Sequence, residues 1–292
     1  MNQFSASDAA LEGFRLTRER PGTVLAWSGL YFIGIVIIAL VMMASLDPHF
    51  IELAKQGQLL TRDPEEIGSM LANSLPAFSL VVVLTVVLFS VVMAGIYRLV
   101  LRPEEHGFAH LRFGRDEVRL TILNLLMFGI GMAFLTFGFA VTALAESASP
   151  VAGGAVAVAI LAVTIWLGVR LSLATPMSFA THRIAIAAAW RLSRGRFRAL
   201  LGMIVLAIIF YLIVWVLVTV IGFGIIALAG GQQAVQQPND PLAFIGFLAI
   251  LAIQLLLPIL QVIMVYSPLA VAYQQIRDDA PPVPANAQAS AG

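Results

Sequence analysis

The 292-residue sequence contains no cysteine and few charged residues. Without cysteine the chain can form no disulfide, no thiolate metal site and no cysteine nucleophile. Charged residues make up 11% of the chain, against about 25% in an average soluble protein, whereas hydrophobic residues make up 60% and the mean hydropathy is +0.94. So little charge cannot cover a surface that faces water. The composition therefore predicts a membrane protein.

The sequence also lacks a polar stretch long enough to fold as a catalytic domain. The longest ones, 47–75, 102–119 and the tail from 277, are all shorter than the roughly 50 residues at which domains begin. The histidines form no HExxH motif, and no carboxylate lies deep in an apolar stretch. His106 and His110 have the spacing of metal ligands, but Gly107 weakens the helix that such a site would need. We therefore expect no catalytic residue, no metal site and no cofactor, and we keep an intramembrane enzyme only as a remote alternative.

Six stretches are apolar and long enough to cross about 30 Å of hydrocarbon as α-helices. We therefore predict an all-α fold, a polytopic membrane helical bundle with six transmembrane helices. The predicted spans are 23–46, 76–101, 119–145, 152–174, 200–229 and 242–273. They form a membrane domain at 23–276, which follows a cytoplasmic amphipathic arm at 1–22 and precedes a Pro/Ala-rich cytoplasmic tail at 277–292 that is predicted to be disordered.

The segment 47–75 joins the first two predicted spans. Asp47-Pro48 and Asp63-Pro64 each place a capping side chain before a proline that fits the first turn of a helix. We therefore predict an extracytoplasmic loop of two short helices that lie on the outer membrane surface.

Basic residues are concentrated on one side of the predicted bundle. Six spans place both termini on the same side, and that side carries every basic residue except Lys55 and Arg62. The positive-inside rule therefore predicts that both termini are cytoplasmic. Lys55 is the only lysine, and such an excess of arginine is typical of G+C-rich genes. We expect a multi-pass protein of a bacterial inner membrane.

A short basic pattern recurs in the chain. Residues 14–20 (FRLTRER) match residues 190–196 (WRLSRGR), and residues 111–115 (LRFGR) are a shorter third copy. Each copy precedes an odd-numbered span, so the sequence predicts three pseudo-repeats, each made of a surface helix and two spans. Gly195 and Pro21-Gly22 are predicted turns at which the chain enters the bilayer.

The third surface element, 178–198, is predicted to be a basic amphipathic helix. Residues 186, 189, 190, 193 and 197 follow helical spacing opposite a stripe of arginines. Such a helix lies among the headgroups with its arginines near anionic phosphates, although the same arginines can serve as topology determinants alone. The candidate residues for binding lipid or a partner protein are Arg15, Arg18, Arg20, Arg112, Arg115, Arg183, Trp190, Arg191, Arg194, Arg196 and Arg198.

A few polar residues inside the spans form a second candidate site. Gln254 and Gln261 are seven residues apart on one face of the sixth span, and Asn124 and Arg170 lie near the ends of the third and fourth. Kinked polar helices border cavities in transporters, but glutamines also join helices by hydrogen bonds. Arg98 and Arg170 are expected to extend to the lipid phosphates.

Two segments carry a resemblance to a known family. Residues 170–176 (RLSLATP) and 190–197 (WRLSRGRF), followed by a long apolar span, resemble bacterial six-span proteins grouped with the membrane domain of glycerophosphoryl diester phosphodiesterases. The resemblance covers the second half of the chain and extends to the first half by topology. In that family catalysis belongs to a separate soluble barrel, so the resemblance implies a membrane module without catalytic residues.

The sequence thus leaves two main hypotheses for function. The first is a non-enzymatic membrane module that binds anionic lipid headgroups or a partner protein through its basic surface helices. The second is a transporter of lipid or small molecules with a polar site around the sixth span.

Overall fold

The computed structural model describes residues 5–45, 52–53, 56–57, 64–105, 107–112 and 114–278. The fold of these residues is all-α, as predicted, and no β-strand occurs among them. The α-helices are α1 (Ala6–Glu19), α2 (Pro21–Ser45), α3 (Pro64–Leu101), α4 (Arg115–Ala148), α5 (Pro150–Leu171), α6 (Ala174–Thr181), α7 (Ile186–Leu192), α8 (Phe197–Leu228), α9 (Gln232–Gln236) and α10 (Pro241–Asp278).

Six of these helices, α2, α3, α4, α5, α8 and α10, are long and apolar enough to cross a membrane. The shortest, α5, has 22 residues and is about 33 Å long at 1.5 Å per residue, which exceeds the hydrocarbon thickness of about 30 Å. The predicted number of spans is thereby confirmed, and the chain is a multi-pass membrane protein. Several helices continue past the predicted spans, because helical hydrogen bonds still satisfy the backbone where the chain leaves the hydrocarbon.

The spans pair as three hairpins, α2 with α3, α4 with α5, and α8 with α10. The elements that precede the second and third hairpins each pack against the hairpin before them. A 3₁₀ turn at Phe108–His110 contacts α2 and α3, while α6 contacts α4 and α7 contacts α5. Helix α1 packs against α8 and α10 of the last hairpin and so closes a ring of three units. This arrangement follows the threefold repeat of the sequence.

The elements that precede the hairpins meet at one end of the bundle, which we call the basic end: α1, residues 102–114 and residues 172–196. Its core contains the fully buried Trp27 and Tyr97 together with Phe179. Toward the opposite end the apolar side chains face outward, as in Phe139 and Leu228, which are 79% and 77% exposed. Such side chains are suited to contact lipid tails. The two clusters of buried apolar side chains lie at the basic end or in the adjoining halves of the spans.

Segment 178–198 is not a single helix, and that prediction was wrong. Helix α6 ends before His182, which adopts a left-handed conformation with φ of 54°. The Ala185 backbone N–H then donates to the Ser178 hydroxyl at 2.9 Å, which stabilises the break between α6 and α7. Beyond α7 the chain turns at Gly195, where φ is 77°, and this turn was predicted.

Two other predicted surface helices also differ from the structure. Residues 64–75 are the first turns of α3, so the second predicted helix of the outer loop is part of a span. The first predicted helix of the outer loop falls largely outside the described residues. In the second repeat, the described residues before α4 form the 3₁₀ turn rather than a surface α-helix. Its Ala109 has a positive φ of 51°, which a continuous right-handed helix cannot accommodate. The predicted tail lies outside the described residues from position 279 onward.

Candidate functional site

The arginines of the basic end divide into a buried group and an exposed group. Arg98, Arg102 and Arg119 are buried or half-buried, and each forms an ion pair with a carboxylate. The exposed candidates for binding lie on α1 and its C-cap, at Arg112, at the start of α4 and on residues 183–198. The two groups therefore have different physical roles.

Arg98 is the centre of the buried group and is only 3% exposed. Its guanidinium donates to a carboxylate oxygen of Glu117 and to the backbone carbonyl of His110. Its Nε lies 3.4 Å from an oxygen of Glu105. The second oxygen of Glu117 accepts the Gly114 backbone N–H at 2.9 Å, at the first turn of α4. The expectation that Arg98 extends to lipid phosphates was wrong, because the protein itself supplies the counter-charge.

Arg102 joins three elements of the basic end. It donates to the Phe179 carbonyl at 3.2 Å, and its guanidinium carbon lies 4.9 Å from the centre of the Phe179 ring. A guanidinium nitrogen of Arg102 also lies 2.9 Å from His182 Nε2, and His182 Nδ1 lies 2.8 Å from a carboxylate oxygen of Asp116. Since arginine has only donors, Nε2 accepts and Nδ1 carries the proton that is donated to Asp116. This chain of contacts connects the end of α3 to α6 and to the start of α4.

Arg170 lies between two tryptophans. Its guanidinium carbon is 5.6 Å from the ring centre of Trp166 and 5.3 Å from that of Trp190, and the two rings make an edge contact at 5.2 Å. It also donates to the Trp190 carbonyl at 3.5 Å. Arg170 was expected to contact phosphates, and Trp190 was a candidate for lipid binding. The structure uses both to fasten α7 to α5, and contact of either residue with lipid stays a prediction.

The exposed arginines include most of the predicted binding residues. Arg15 is paired with Glu12 at 2.8 Å but has a side chain that is 63% exposed. Arg112 is 65% exposed and lies 3.9 Å from Glu105. The other exposed arginines have no carboxylate within 4.0 Å in the described part of the chain. They are Arg18, Arg20, Arg115, Arg183, Arg191, Arg194 and Arg198, and Arg196 is half-buried and likewise unpaired.

The residues of the predicted polar pathway do not come together. Gln254 and Gln261 are exposed on α10, and Gln261 accepts a hydrogen bond of 3.4 Å from the Tyr211 hydroxyl. Asn124 donates to the Ser90 hydroxyl at 2.9 Å and lines a cavity between α4, α5 and α10. Arg170 is held by the tryptophans described above. The cavity at Asn124 is therefore lined by none of the other three residues.

Among the described residues outside the spanning helices, one carboxyl group has a perturbed pKa. Glu12 of α1 is buried where α1 packs against α10, and loss of hydration raises the pKa of its carboxyl above the ordinary value of 4.5, although Arg15 opposes the shift. The ion pair with Arg15 does not fully compensate for the lost hydration of Glu12, because the Arg15 side chain lies at the exposed edge of the contact between α1 and α10.

A metal site has no support in the described part of the chain, where no three His, Asp or Glu side chains come together. His106, which was considered as a ligand, lies outside that part.

The buried cluster at Arg98 and the cavity at Asn124 were not recognised in the sequence. One signal was available for the first: Arg98 and Glu117 have opposite charges near adjacent ends of consecutive spans. No comparable signal exists for the cavity, since its walls combine the hairpin of α4 and α5 with α10, which is distant from them in sequence.

Comparison with known proteins gave no match to a protein-family model, to a curated protein or to a solved structure. The resemblance to the membrane domain of glycerophosphoryl diester phosphodiesterases therefore stays a prediction.

Proposed function

We propose that this chain is a non-enzymatic membrane protein that binds anionic phospholipid headgroups at its basic end. The observation that carries the proposal is the group of exposed arginines without carboxylate partners on three segments at that end. Arg98, Arg102, Arg119 and Arg170, which are buried or half-buried, all have protein partners. The unpaired arginines are exposed, except for the half-buried Arg196.

Anionic phosphates are suitable partners for these side chains. Guanidinium groups bind phosphate oxygens through two parallel hydrogen bonds. Each arginine near an anionic membrane surface contributes about 1 kcal/mol of attraction. Unpaired arginines also repel one another when they lie on the same surface, and bound phosphates would remove that repulsion.

We further propose that the membrane is a bacterial inner membrane with both termini in the cytoplasm. The support is the distribution of basic residues along the sequence, in which the predicted topology assigns only Lys55 and Arg62 to the opposite side of the membrane. A lipid-binding role also agrees with the predicted resemblance to the membrane domain of glycerophosphoryl diester phosphodiesterases, a family in which catalysis belongs to a separate soluble barrel.

Two other functions remain as alternatives. An acidic protein surface could bind the same arginines, and a lipid-only experiment separates this alternative from the proposal. Transport through a site formed by Asn124, Arg170, Gln254 and Gln261 has less support, because the last three do not line the cavity at Asn124.

The experiment is to replace Arg191, Arg194 and Arg196 together by glutamine. None of the three forms an ion pair with another described residue, so the fold should be retained. Native mass spectrometry of the protein in detergent then counts bound phosphatidylglycerol and phosphatidylcholine molecules. We expect a lower preference for phosphatidylglycerol, with a loss of about 1 kcal/mol for each arginine removed.

A matched control changes the net charge equally at the opposite end. Gln232, Gln233 and Gln236 of α9 are exposed, and their replacement by glutamate also lowers the charge by one at each position. This control should keep the preference for phosphatidylglycerol. If the arginine variant keeps it too, headgroup binding by these arginines is wrong. Recovery of the preference only when a partner protein is added would instead support the alternative.

A further inference from the structure

A cavity of about 360 Å³ lies between α4, α5 and α10 within the membrane part of the bundle. Its walls come from residues 124–135 of α4, residues 164–171 of α5, and Tyr266 with its neighbours on α10. It opens sideways past Ile130 and Leu135, which are 51% and 50% exposed. Whatever fills the cavity therefore enters from the lipid rather than from water.

The length of the cavity matches one leaflet of a bilayer. On α4 its lining runs from Asn124 to Leu135, which is about 16 Å at 1.5 Å per residue. Half of the hydrocarbon thickness of about 30 Å has the same length. The cavity is thus as long as one extended acyl chain in its leaflet.

The polarity of the lining changes along the cavity. Polar side chains line the part nearer the basic end: Ser172 follows the end of α5, Thr175 is in the first turn of α6, and Asn124 and Tyr266 lie on the halves of α4 and α10 nearer that end. The Tyr266 hydroxyl has no hydrogen-bond partner in the described part of the chain and is therefore available to a ligand. Deeper in the membrane the α4 wall is apolar, ending at Phe134 and its neighbours. A ligand with a polar end and a long apolar end fits this gradient in one direction only.

Two glycines keep the cavity open. Gly131 of α4 and Gly168 of α5 line opposite walls, and a Cβ added at either would meet no other atom within 4 Å. A larger side chain at either position would therefore extend into the cavity without displacing the protein around it.

We propose that this cavity binds one acyl chain of a diacyl phospholipid whose headgroup lies at the basic end. The Tyr266 hydroxyl donates to an ester carbonyl of the lipid, Asn124 adds a polar contact beside it, and the chain extends toward Phe134. This inference rests on the proposed function only for the position of the headgroup. It assigns a binding site to the acyl chain, which the arginines do not contact.

The test uses phosphatidylcholine that carries a photoreactive diazirine in one acyl chain. The full-length protein is placed in vesicles of phosphatidylethanolamine and phosphatidylglycerol with a trace of this probe, and cross-linked peptides are mapped by mass spectrometry. A diazirine near the ester should label residues around Asn124 and Tyr266, and one near the chain end should label residues around Phe134. Labelling spread evenly over the lipid-facing helices would overturn the proposal.

Filling the cavity provides the decisive comparison. Gly131→Leu and Gly168→Leu should each lower the cross-linking yield at the cavity about tenfold, which corresponds to about 1.4 kcal/mol of binding free energy. Gly129→Leu and Gly154→Leu are the matched controls, because these glycines lie on the same two helices, face open space and do not line the cavity. The controls should cross-link like the wild type. Equal cross-linking yields in all four variants would contradict the proposal. Because the two cavity variants change different helices, the second variant still provides the test if the first one misfolds.

Competition identifies the ligand. Unlabelled phosphatidylcholine should suppress the cross-link, whereas suppression by free fatty acid alone would overturn a diacyl phospholipid as the occupant. The proposed function fails independently of this inference. If replacement of Arg191, Arg194 and Arg196 leaves the phosphatidylglycerol preference intact while the glycine variants still lose the neutral probe, headgroup binding is wrong and the cavity is supported.

Discussion

Arg98 at the end of α3 and Glu117 in the first turn of α4 form a buried ion pair in which both side chains are about 95% excluded from solvent. Glu117 also caps α4 through Gly114, and Arg98 also binds the carbonyl of His110. The pair therefore joins two consecutive spans and the turn between them. Because both partners are desolvated, each charge depends on the other for its stability.

We expect Glu117→Gln to destabilise the protein strongly. Glutamine has nearly the same shape but no charge, so the buried guanidinium of Arg98 loses its closest counter-charge. Removal of one partner of a buried pair costs about 3–5 kcal/mol. The measurement is the free energy of unfolding of the detergent-solubilised protein. Arg112→Gln is the control, since that side chain is 65% exposed and its pairing with Glu105 should contribute less than about 1 kcal/mol. Equal losses for the two variants would contradict a special role of the buried pair.

The fully buried Trp27 is expected to hold the turn before α4 in place. Its indole N–H donates to the Ala109 carbonyl at 2.9 Å, and Ala109 has a positive φ of 51°. Trp27→Phe keeps the apolar ring but leaves that carbonyl without its donor, at a cost of about 1–3 kcal/mol. Hydrogen exchange of residues 107–112 should become faster. Trp215→Phe on α8, where the side chain is 43% exposed, should leave this exchange unchanged.

Docking of α1 depends on the small size of Gly13. A Cβ at this position would lie 2.8 Å from the Cα of Met264 in α10, so a larger residue must push the two helices apart. Gly13→Leu should therefore release α1 and increase tryptic cleavage after Arg15 and Arg18. Gly22→Leu is the control, because a Cβ there meets no atom within 4 Å. Cleavage that rises equally in the control would argue against close packing at Gly13.

The docking of α1 should also depend on pH through Glu12. Burial raises the pKa of this carboxyl above its ordinary value of 4.5, so protonation favours the docked helix. The stabilisation is complete below pH 4.5 and is lost as the pH rises through the raised pKa. The chain has no cysteine, so spin labels on two introduced cysteines at Ser7 and Arg277 can report the distance between α1 and α10. Glu12→Gln should remove the pH dependence, and a dependence that persists in this variant would assign it to another group.

The sequence predicted the spans well, because the cost of exposing polar groups to hydrocarbon acts on each stretch of about 20 residues independently. Surface elements were predicted less well. Segment 178–198 has a helical pattern of apolar residues, but the left-handed His182 and the hydrogen bond from Ala185 to Ser178 interrupt it. That interruption depends on how α6 and α7 pack against the preceding hairpin. The apolar pattern of segment 178–198 alone gives no information about this packing.

The amino-acid sequence by itself determined an all-α membrane protein with six spans, a threefold repeat and an excess of arginine on one side. Each of these properties follows from the composition or pattern of local stretches of sequence, so none requires knowing which residues are neighbours in the folded protein. Only the tertiary structure decided which arginines are free for an external ligand. Arg98 and Arg191 cannot be distinguished by residue type, yet one is buried against Glu117 and the other is exposed and unpaired. The reason is that desolvation and pairing depend on residues brought together from different helices, and so does the cavity between α4, α5 and α10.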